Sequence, residues 1–196
     1  MLDTRARKVF DNLFDKTARL FLSIGLRANH VTAAAFVTGL GAGAVLYFEY
    51  PIPAVCLLWL SGFFDAVDGS MARQSGTAGL AGAFFDILSD RLVELSIFWA
   101  LALRHPETLT AMLALVSTVL ISMTVFLTTG MITTKKSEKS FYYQPGLMER
   151  SEGFIASTIM MLFQCHLTLL TWIYAALIGV TIIQRIIEAI KLMSRD

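Results

Sequence analysis

Charge is scarce in this sequence. Acidic and basic residues make up only 16% of the 196 residues, while hydrophobic ones reach 56%. A water-soluble domain carries about 25% charged residues, so the deficit excludes a surface that is wetted all round and makes lipid the expected solvent. Net charge is only +1, which gives no bulk electrostatic case for nucleic acid, and no nucleic-acid partner is expected. Cysteine is also rare. Cys56 and Cys165 each sit in an apolar run, with no CxxC or Cys/His spacing. That argues against a thiolate metal site, and two buried free thiols are expected. The N-terminus is charged before any apolar run begins, unlike a cleaved signal peptide. No internal repeat and no low-complexity tract interrupts the chain.

What is present in quantity is long apolar segments. Residues 3–22 come first and are amphipathic. Val9, Phe10, Leu13, Phe14, Leu20 and Phe21 recur at helical spacing, with Arg5, Arg7, Lys8, Lys16 and Arg19 on other faces. Such a helix suits the membrane interface, its cations meeting anionic headgroups. Six apolar runs follow, near Val31–Phe48, Ala54–Arg73, Leu80–Leu103, Leu109–Ile132, Arg150–Phe163 and Leu167–Ile187. Pro51 and Pro53 punctuate the first junction, and a polar loop at 135–149 precedes the fifth run. About 20 residues of helix cross a bilayer core of about 30 Å, and runs this continuous are helices rather than barrel strands. The expected architecture is therefore one all-α membrane domain over residues 1–196. Residues 1–28 form an amphipathic interfacial helix, and residues 29–196 a bundle of six transmembrane helices. Lys and Arg concentrate in the N-terminal stretch, near Arg73, in the 135–150 loop and at the C-terminal end; the opposite turns contain only Arg104. By the positive-inside rule these basic places face the cytoplasm.

The second and third runs hold four aspartates, Asp65, Asp68, Asp86 and Asp90. An aspartate at membrane depth costs about 2.5–3.5 kcal/mol on insertion scales, so this set demands compensation. Asp65 and Asp68 are three apart and share a helix face, joined by Gly69, Ala72 and Arg73 in one broad stripe. Gly82, Asp86 and Asp90, each four apart, form a second stripe. The connection at 74–81 is short and holds Gly76 and Gly79, so the two helices are expected to be antiparallel neighbours with facing stripes. Carboxylates at about 4 Å repel by about 4 kcal/mol at an effective dielectric of 20. Divalent cations remove that cost, and oxygen donors favour Mg²⁺, Mn²⁺ or Ca²⁺ over zinc. Four carboxylates have room for two ions, an arrangement suited to phosphoryl chemistry. Glycine and alanine in the same stripe admit a bulky group close to the backbone, and Arg73 can pair with phosphate.

The run Asp65-x2-Asp68-Gly69-x2-Ala72-Arg73-x8-Gly82-x3-Asp86-x3-Asp90 resembles the signature of the CDP-alcohol phosphotransferases (phosphatidyltransferases), with every fixed position present. The motif covers residues 65–90; the rest of the chain agrees in layout. The resemblance implies a transferase of phospholipid biosynthesis. It would move a phosphatidyl-type group from a CDP-linked lipid such as CDP-diacylglycerol to a small alcohol, releasing CMP, with two divalent cations, Mg²⁺ or Mn²⁺. It further implies that Asp65, Asp68, Asp86 and Asp90 hold the metals and that Asp90 is the general base. Gly69, Ala72, Arg73 and Gly82 would bind the CDP part together with Asp65 and Asp68. Asn29 and Thr32 resemble an Asn-x-x-Thr that family members place near the nucleotide; the alternative is that Asn29 caps its helix. The implied setting is a bacterial or archaeal cytoplasmic membrane with the site facing the cytoplasm, among membrane lipids. Members are often homodimers.

The acceptor is less legible. Lys135, Lys136, Arg150 and Arg185 are expected near the cytoplasmic face, where they suit an acceptor that carries its own phosphate; positive-inside anchoring is the alternative. Glu149-Arg150-Ser-Glu152 and Asp90-Arg91 loosely resemble the inositol-phosphate branch, which points to a phosphorylated alcohol, inositol phosphate or glycerol 3-phosphate. Arg91 is expected to balance Asp86 or Asp90. Two other function classes compete. A divalent-cation transporter needs polar groups through the whole membrane depth, and here they gather at one end. A non-catalytic membrane scaffold has no use for all four carboxylates.

Overall fold

The computed structural model describes residues 2–132 and 146–194, with side chains from Asp11 onward. Lys135 and Lys136 lie outside the described residues. The described backbone is all-helical: α1 (Leu2–Ser23), α2 (Ala28–Tyr47), α3 (Pro51–Gln74), α4 (Leu80–Arg104), α5 (Leu109–Ile132), α6 (Arg150–Leu162) and α7 (Leu167–Met193), with 3-10 turns at Pro106–Thr108 and Gln164–His166. The helices fall into two compact units, residues 4–105 and residues 106 onward.

Helix ends follow local chemistry. Gly25 (φ 84°) and Gly76 (φ 67°) adopt left-handed backbone that glycine alone enters freely. Each closes the helix before it with a wrap-around bond, Leu26 N–H to the Phe21 carbonyl (3.0 Å) and Thr77 N–H to the Ala72 carbonyl (3.0 Å). Helix α3 begins at Pro51, earlier than the expected Ala54. First-turn N–H groups lack intrahelical partners anyway, so both prolines are tolerated there. At the start of α2 the cap is Arg27, whose N–H donates to His30 Nδ1 (3.3 Å). Capping by Asn29 is thereby corrected: that residue is already inside the helix and exposed.

Among the described residues, four segments are long and apolar enough to cross a membrane: Ala28–Tyr47, Pro51–Gln74, Pro106–Ile132 and Gln164–Met193. They expose large apolar side chains such as Val37 (67%), Trp59, Leu120 and Ile183, a surface suited to lipid. Helix α4 has the length, with 25 residues, but Asp86, Asp90, Arg91 and Glu94 interrupt its apolar character. Helix α6 has only 13 residues, a length of about 20 Å. The expected burial of Cys56 and Cys165 is corrected: both are free but exposed, Cys56 on the apolar surface of α3, where a lipid-facing thiol has no need of a protein core, and Cys165 in the 3-10 turn before α7.

In the first unit α2 packs against both α3 and α4. A Cβ on Gly39 would overlap Val93 and Ser61, and one on Gly43 would lie 2.8 Å from the Ser96 backbone carbon. The Ser61 hydroxyl donates to the Ala35 carbonyl (2.7 Å), tying α3 to α2. Helix α1 buries Ala18 against Val31, Val67 and Met71, flanked by Phe14, Phe21, Leu22, Phe63 and Phe64. The apolar residues expected to face lipid are therefore divided. Phe14 and Phe21 turn onto the protein, while Leu13 (50%) and Leu20 (59%) remain exposed. In the second unit α7 packs against α5 and α6.

Candidate active site

The stripes that clamp onto α2 continue into the aspartates. On α3, Ser61, Asp65 and Asp68 follow one another at four- and three-residue steps. On α4, Asp86, Asp90 and Val93 do the same. Because Ser61 and Val93 both abut Gly39, the packing of α2 sets the rotation of α3 and α4 together. The outcome is a carboxylate cluster: one oxygen each from Asp65, Asp86 and Asp90, all within 4.8 Å of one another. Asp68, the most buried of the four at 8% exposed, lies one turn along α3 from Asp65 and outside that trio.

Two unit charges 4.8 Å apart repel by about 3 kcal/mol at an effective dielectric of 20. Ligand distances of about 2.0–2.6 Å around a hard cation place two of its oxygen donors up to about 5 Å apart. The trio therefore fits a divalent cation in both donor chemistry and spacing.

The glycines divide into two classes. Gly39 and Gly43 are required by packing, as above. Gly82 faces open space, with nothing within 4 Å of the place a methyl would take, and Gly69 meets only Arg73 Nη1, at 3.5 Å, an ordinary contact. Neither is demanded by the protein's own packing, which leaves bare backbone beside the carboxylates. Arg73 is exposed near the end of α3 and Ala72 is half-buried. The register of Ala35 on Ser61, continued through Val31 beside Val67, brings Thr32 and Asn29 level with Asp65–Gly69. Thr32 is half-buried and donates to the Ala28 carbonyl (3.1 Å). Arg91 pairs with Glu94, one turn on, a partner beyond the expected Asp86 or Asp90, because i,i+3 spacing lets two long side chains meet on the helix surface.

In the second unit Arg185 is 7% exposed. It donates to the Ser122 carbonyl (3.2 Å) and Oγ (2.9 Å), and its guanidinium stands 4.9 Å from the Phe126 ring centroid. Residues 146–149 are fastened to the same helix: Leu147 N–H donates to Gln184 Oε1 (3.0 Å) and Met148 N–H to Thr181 Oγ1 (2.9 Å). Glu149 is buried and accepts from the Gly146 N–H (3.2 Å). Arg150 opens α6 beside it, half-buried. Sequence reasoning passed over Ser122, Thr181 and Gln184, whose polarity inside apolar runs was the available signal. It also passed over Asp15 and Ser70, which join α1 to α3.

Membrane-length apolar helices and a hard-oxygen acidic cluster beside open glycines define a helical membrane protein with a candidate metal centre. The chain is a member of the CDP-alcohol phosphatidyltransferase family, whose sequence profile matches residues 25–187. It is thus a transferase of phospholipid biosynthesis. It is 29% identical to the archaetidylinositol phosphate synthase of Pyrococcus horikoshii, over 90% of each protein. It is 27% identical to the phosphatidylinositol phosphate synthase of Corynebacterium glutamicum, over 97% of this chain and 90% of that one. Its fold resembles that of the Mycobacterium tuberculosis phosphatidylinositol phosphate synthase crystallised with CDP-DAG bound, with a TM-score of 0.75 at 21% identity, covering 91% of this chain and 94% of that one. The crystal structure of that mycobacterial enzyme with manganese and citrate gives a TM-score of 0.72 at 21% identity, covering 90% and 88%.

Proposed function

We propose that this protein transfers a phosphatidyl-type group from a CDP-linked lipid to inositol phosphate and releases CMP. The observation that carries the reaction is the trio Asp65, Asp86 and Asp90 beside the unpacked glycines 69 and 82. The choice of inositol phosphate over glycerol 3-phosphate draws its support from the relatives' names.

Asp65, Asp68, Asp86 and Asp90 would hold two divalent cations, Mg²⁺ or Mn²⁺. When bound, such ions neutralise the carboxylates and stabilise charge on the phosphates. Asp90 takes the proton from the acceptor hydroxyl. The freed oxygen attacks the phosphorus attached to the lipid, and the bond from that phosphorus to the CMP oxygen breaks. Gly69 and Gly82 leave backbone open to the nucleotide, with Ala72, Asn29 and Thr32 around it. Arg73 pairs with phosphate. Arg150 and Arg185, with Lys135 and Lys136, hold the phosphate of the acceptor.

In the same reading residues 1–196 form one domain, since the family match runs through both compact units. Helices α2 to α7 make six passages and α1 lies along the interface. The Arg73 end of α3 faces the cytoplasm, a reading supported by the distribution of Lys and Arg. The test is CMP release by the purified protein with CDP-diacylglycerol, Mn²⁺ and a panel of alcohols. Turnover with inositol phosphate is expected. Turnover with glycerol 3-phosphate alone would overturn the acceptor assignment, and Mg²⁺ flux into liposomes without CMP release would overturn the enzymatic one.

A further inference from the structure

Ser70, one of the two residues between signature positions 69 and 72, makes an uncommon contact. A serine inside a helix commonly bonds back to a carbonyl three or four residues earlier. Ser75, Ser117, Thr38 and Thr158 all do so here. Ser70, only 1% exposed, instead donates its hydroxyl to Asp15 Oδ1 on α1. Gln74, one turn further on, directs Nε2 at the Asp15 carbonyl (3.3 Å), Asp15 Oδ1 (3.4 Å) and Ser70 Oγ (3.4 Å). From its own helix Arg19 Nε donates to the Asp15 carbonyl (3.2 Å). The Ser70 hydroxyl, above all, holds the Asp15 carboxyl below the ordinary carboxylate value. Gln74 and the charges of Arg73 and Arg19 act in the same direction, against partial burial.

Beside these bonds α1 and α3 meet through apolar contacts such as Phe14 against Phe63, at 5.8 Å between ring centroids. Dispersion and hydrophobic contacts of this kind are non-directional, and the interlock of Ser61 on Gly39 that sets the rotation of α3 lies about three turns back along the helix. The Asp15 bonds are directional. They act on the turn that presents Gly69 and Arg73, whose Nη1 stands 3.5 Å from where a methyl on Gly69 would be.

We propose that Asp15 is a positioning residue for the CDP-lipid donor: acting through Ser70 and Gln74, it fixes the last turn of α3 and with it the setting of Arg73. The proposal rests on the reading that Gly69 and Arg73 bind the CDP part.

The experiment uses the full chain in lipid nanodiscs, with CDP-diacylglycerol, Mn²⁺ and inositol phosphate, and with CMP as product inhibitor. Asp15→Ala is expected to raise the donor KM and the CMP inhibition constant about tenfold, the loss of one charge-assisted bond, while the acceptor KM is held. Asp15→Asn retains an oxygen for Ser70 and is expected to lose less. Ser70→Ala, which removes only the hydroxyl, is expected to follow Asp15→Ala and serves if that variant does not fold. Combined with Arg73→Ala, the Asp15→Ala effect is expected to shrink, since both changes act on one group. Effects that multiply independently would overturn the proposal, as would a lowered Tm with both KM values unchanged. If Arg73→Ala alone leaves CMP inhibition intact, the donor reading has failed. If Arg73→Ala weakens CMP while Asp15→Ala and Ser70→Ala do not, only the positioning role has failed.

Discussion

Replacing Gly82 and Gly43 separately by alanine divides ligand space from packing space. Alanine is favoured over glycine in a helix by about 1 kcal/mol. At position 82 the added methyl meets nothing within 4 Å, so Gly82→Ala should fold as well as the wild type or up to about 1 kcal/mol better. At position 43 the methyl would lie 2.6 Å from Ser96 Oγ and 2.8 Å from the Ser96 backbone carbon. Backbone cannot swing aside, and overpacking of this kind costs about 1–3 kcal/mol. Set against the helix gain, Gly43→Ala should be net destabilised by up to about 2 kcal/mol. Function should run the other way. If the bare face at Gly82 receives the CDP part, a methyl there should raise the donor KM by at least about tenfold, equivalent to about 1.4 kcal/mol. The fraction of Gly43→Ala that is folded should keep its donor KM. Thermal unfolding in detergent gives the first comparison, and initial rates of CMP release over a range of CDP-diacylglycerol give the second. Gly82→Ala with an unaltered donor KM would refute the reasoning, because the open space would then have no occupant.

Asp90→Asn should abolish transfer yet leave most Mn²⁺ binding, while Asp68→Asn should lose both; wild-type turnover of Asp90→Asn at saturating metal would remove the base assignment. Arg150→Ala should raise the acceptor KM more than the donor KM, and equal rises would take Arg150 out of the acceptor pocket. Thr181→Val keeps shape but strips the acceptor from the Met148 N–H, and should cost about 1–3 kcal/mol, read as a lowered Tm; an unchanged Tm would mean that the bond adds nothing. Asp15 supplies a pH prediction. Its folded-state pKa lies below 3.8, so the stability from its contacts is fully present above that value and is lost as pH falls through the lowered one. The wild-type advantage over Asp15→Asn in thermal unfolding should therefore shrink below about pH 4, and an advantage that persisted there would mean that the carboxylate charge is not what Ser70 and Gln74 recognise.

Much of the site is written in local spacing. Asp65 with Asp68, and Asp86 with Asp90, share faces because a helix repeats every 3.6 residues, and that period needs no knowledge of the fold. Apolar length and the scarcity of charge likewise gave the helices, including the turn at Gly76 between the two aspartate-bearing ones. What the chain could not state was which groups meet across helices. Arg91 had three acidic neighbours within reach in sequence, and its pairing with Glu94 is settled by side-chain geometry rather than by spacing. Phe14 and Phe21 read as a lipid face until the packing of α1 on Val67 and Met71 turned them inward. The trio of carboxylates, the divide between Gly43 and Gly82, and the reach of Asp15 to Ser70 each depend on the rotation and height of one helix against another. Those are set by interlocking surfaces such as Gly39 on Val93, contacts between residues far apart in sequence, and no local periodicity encodes them.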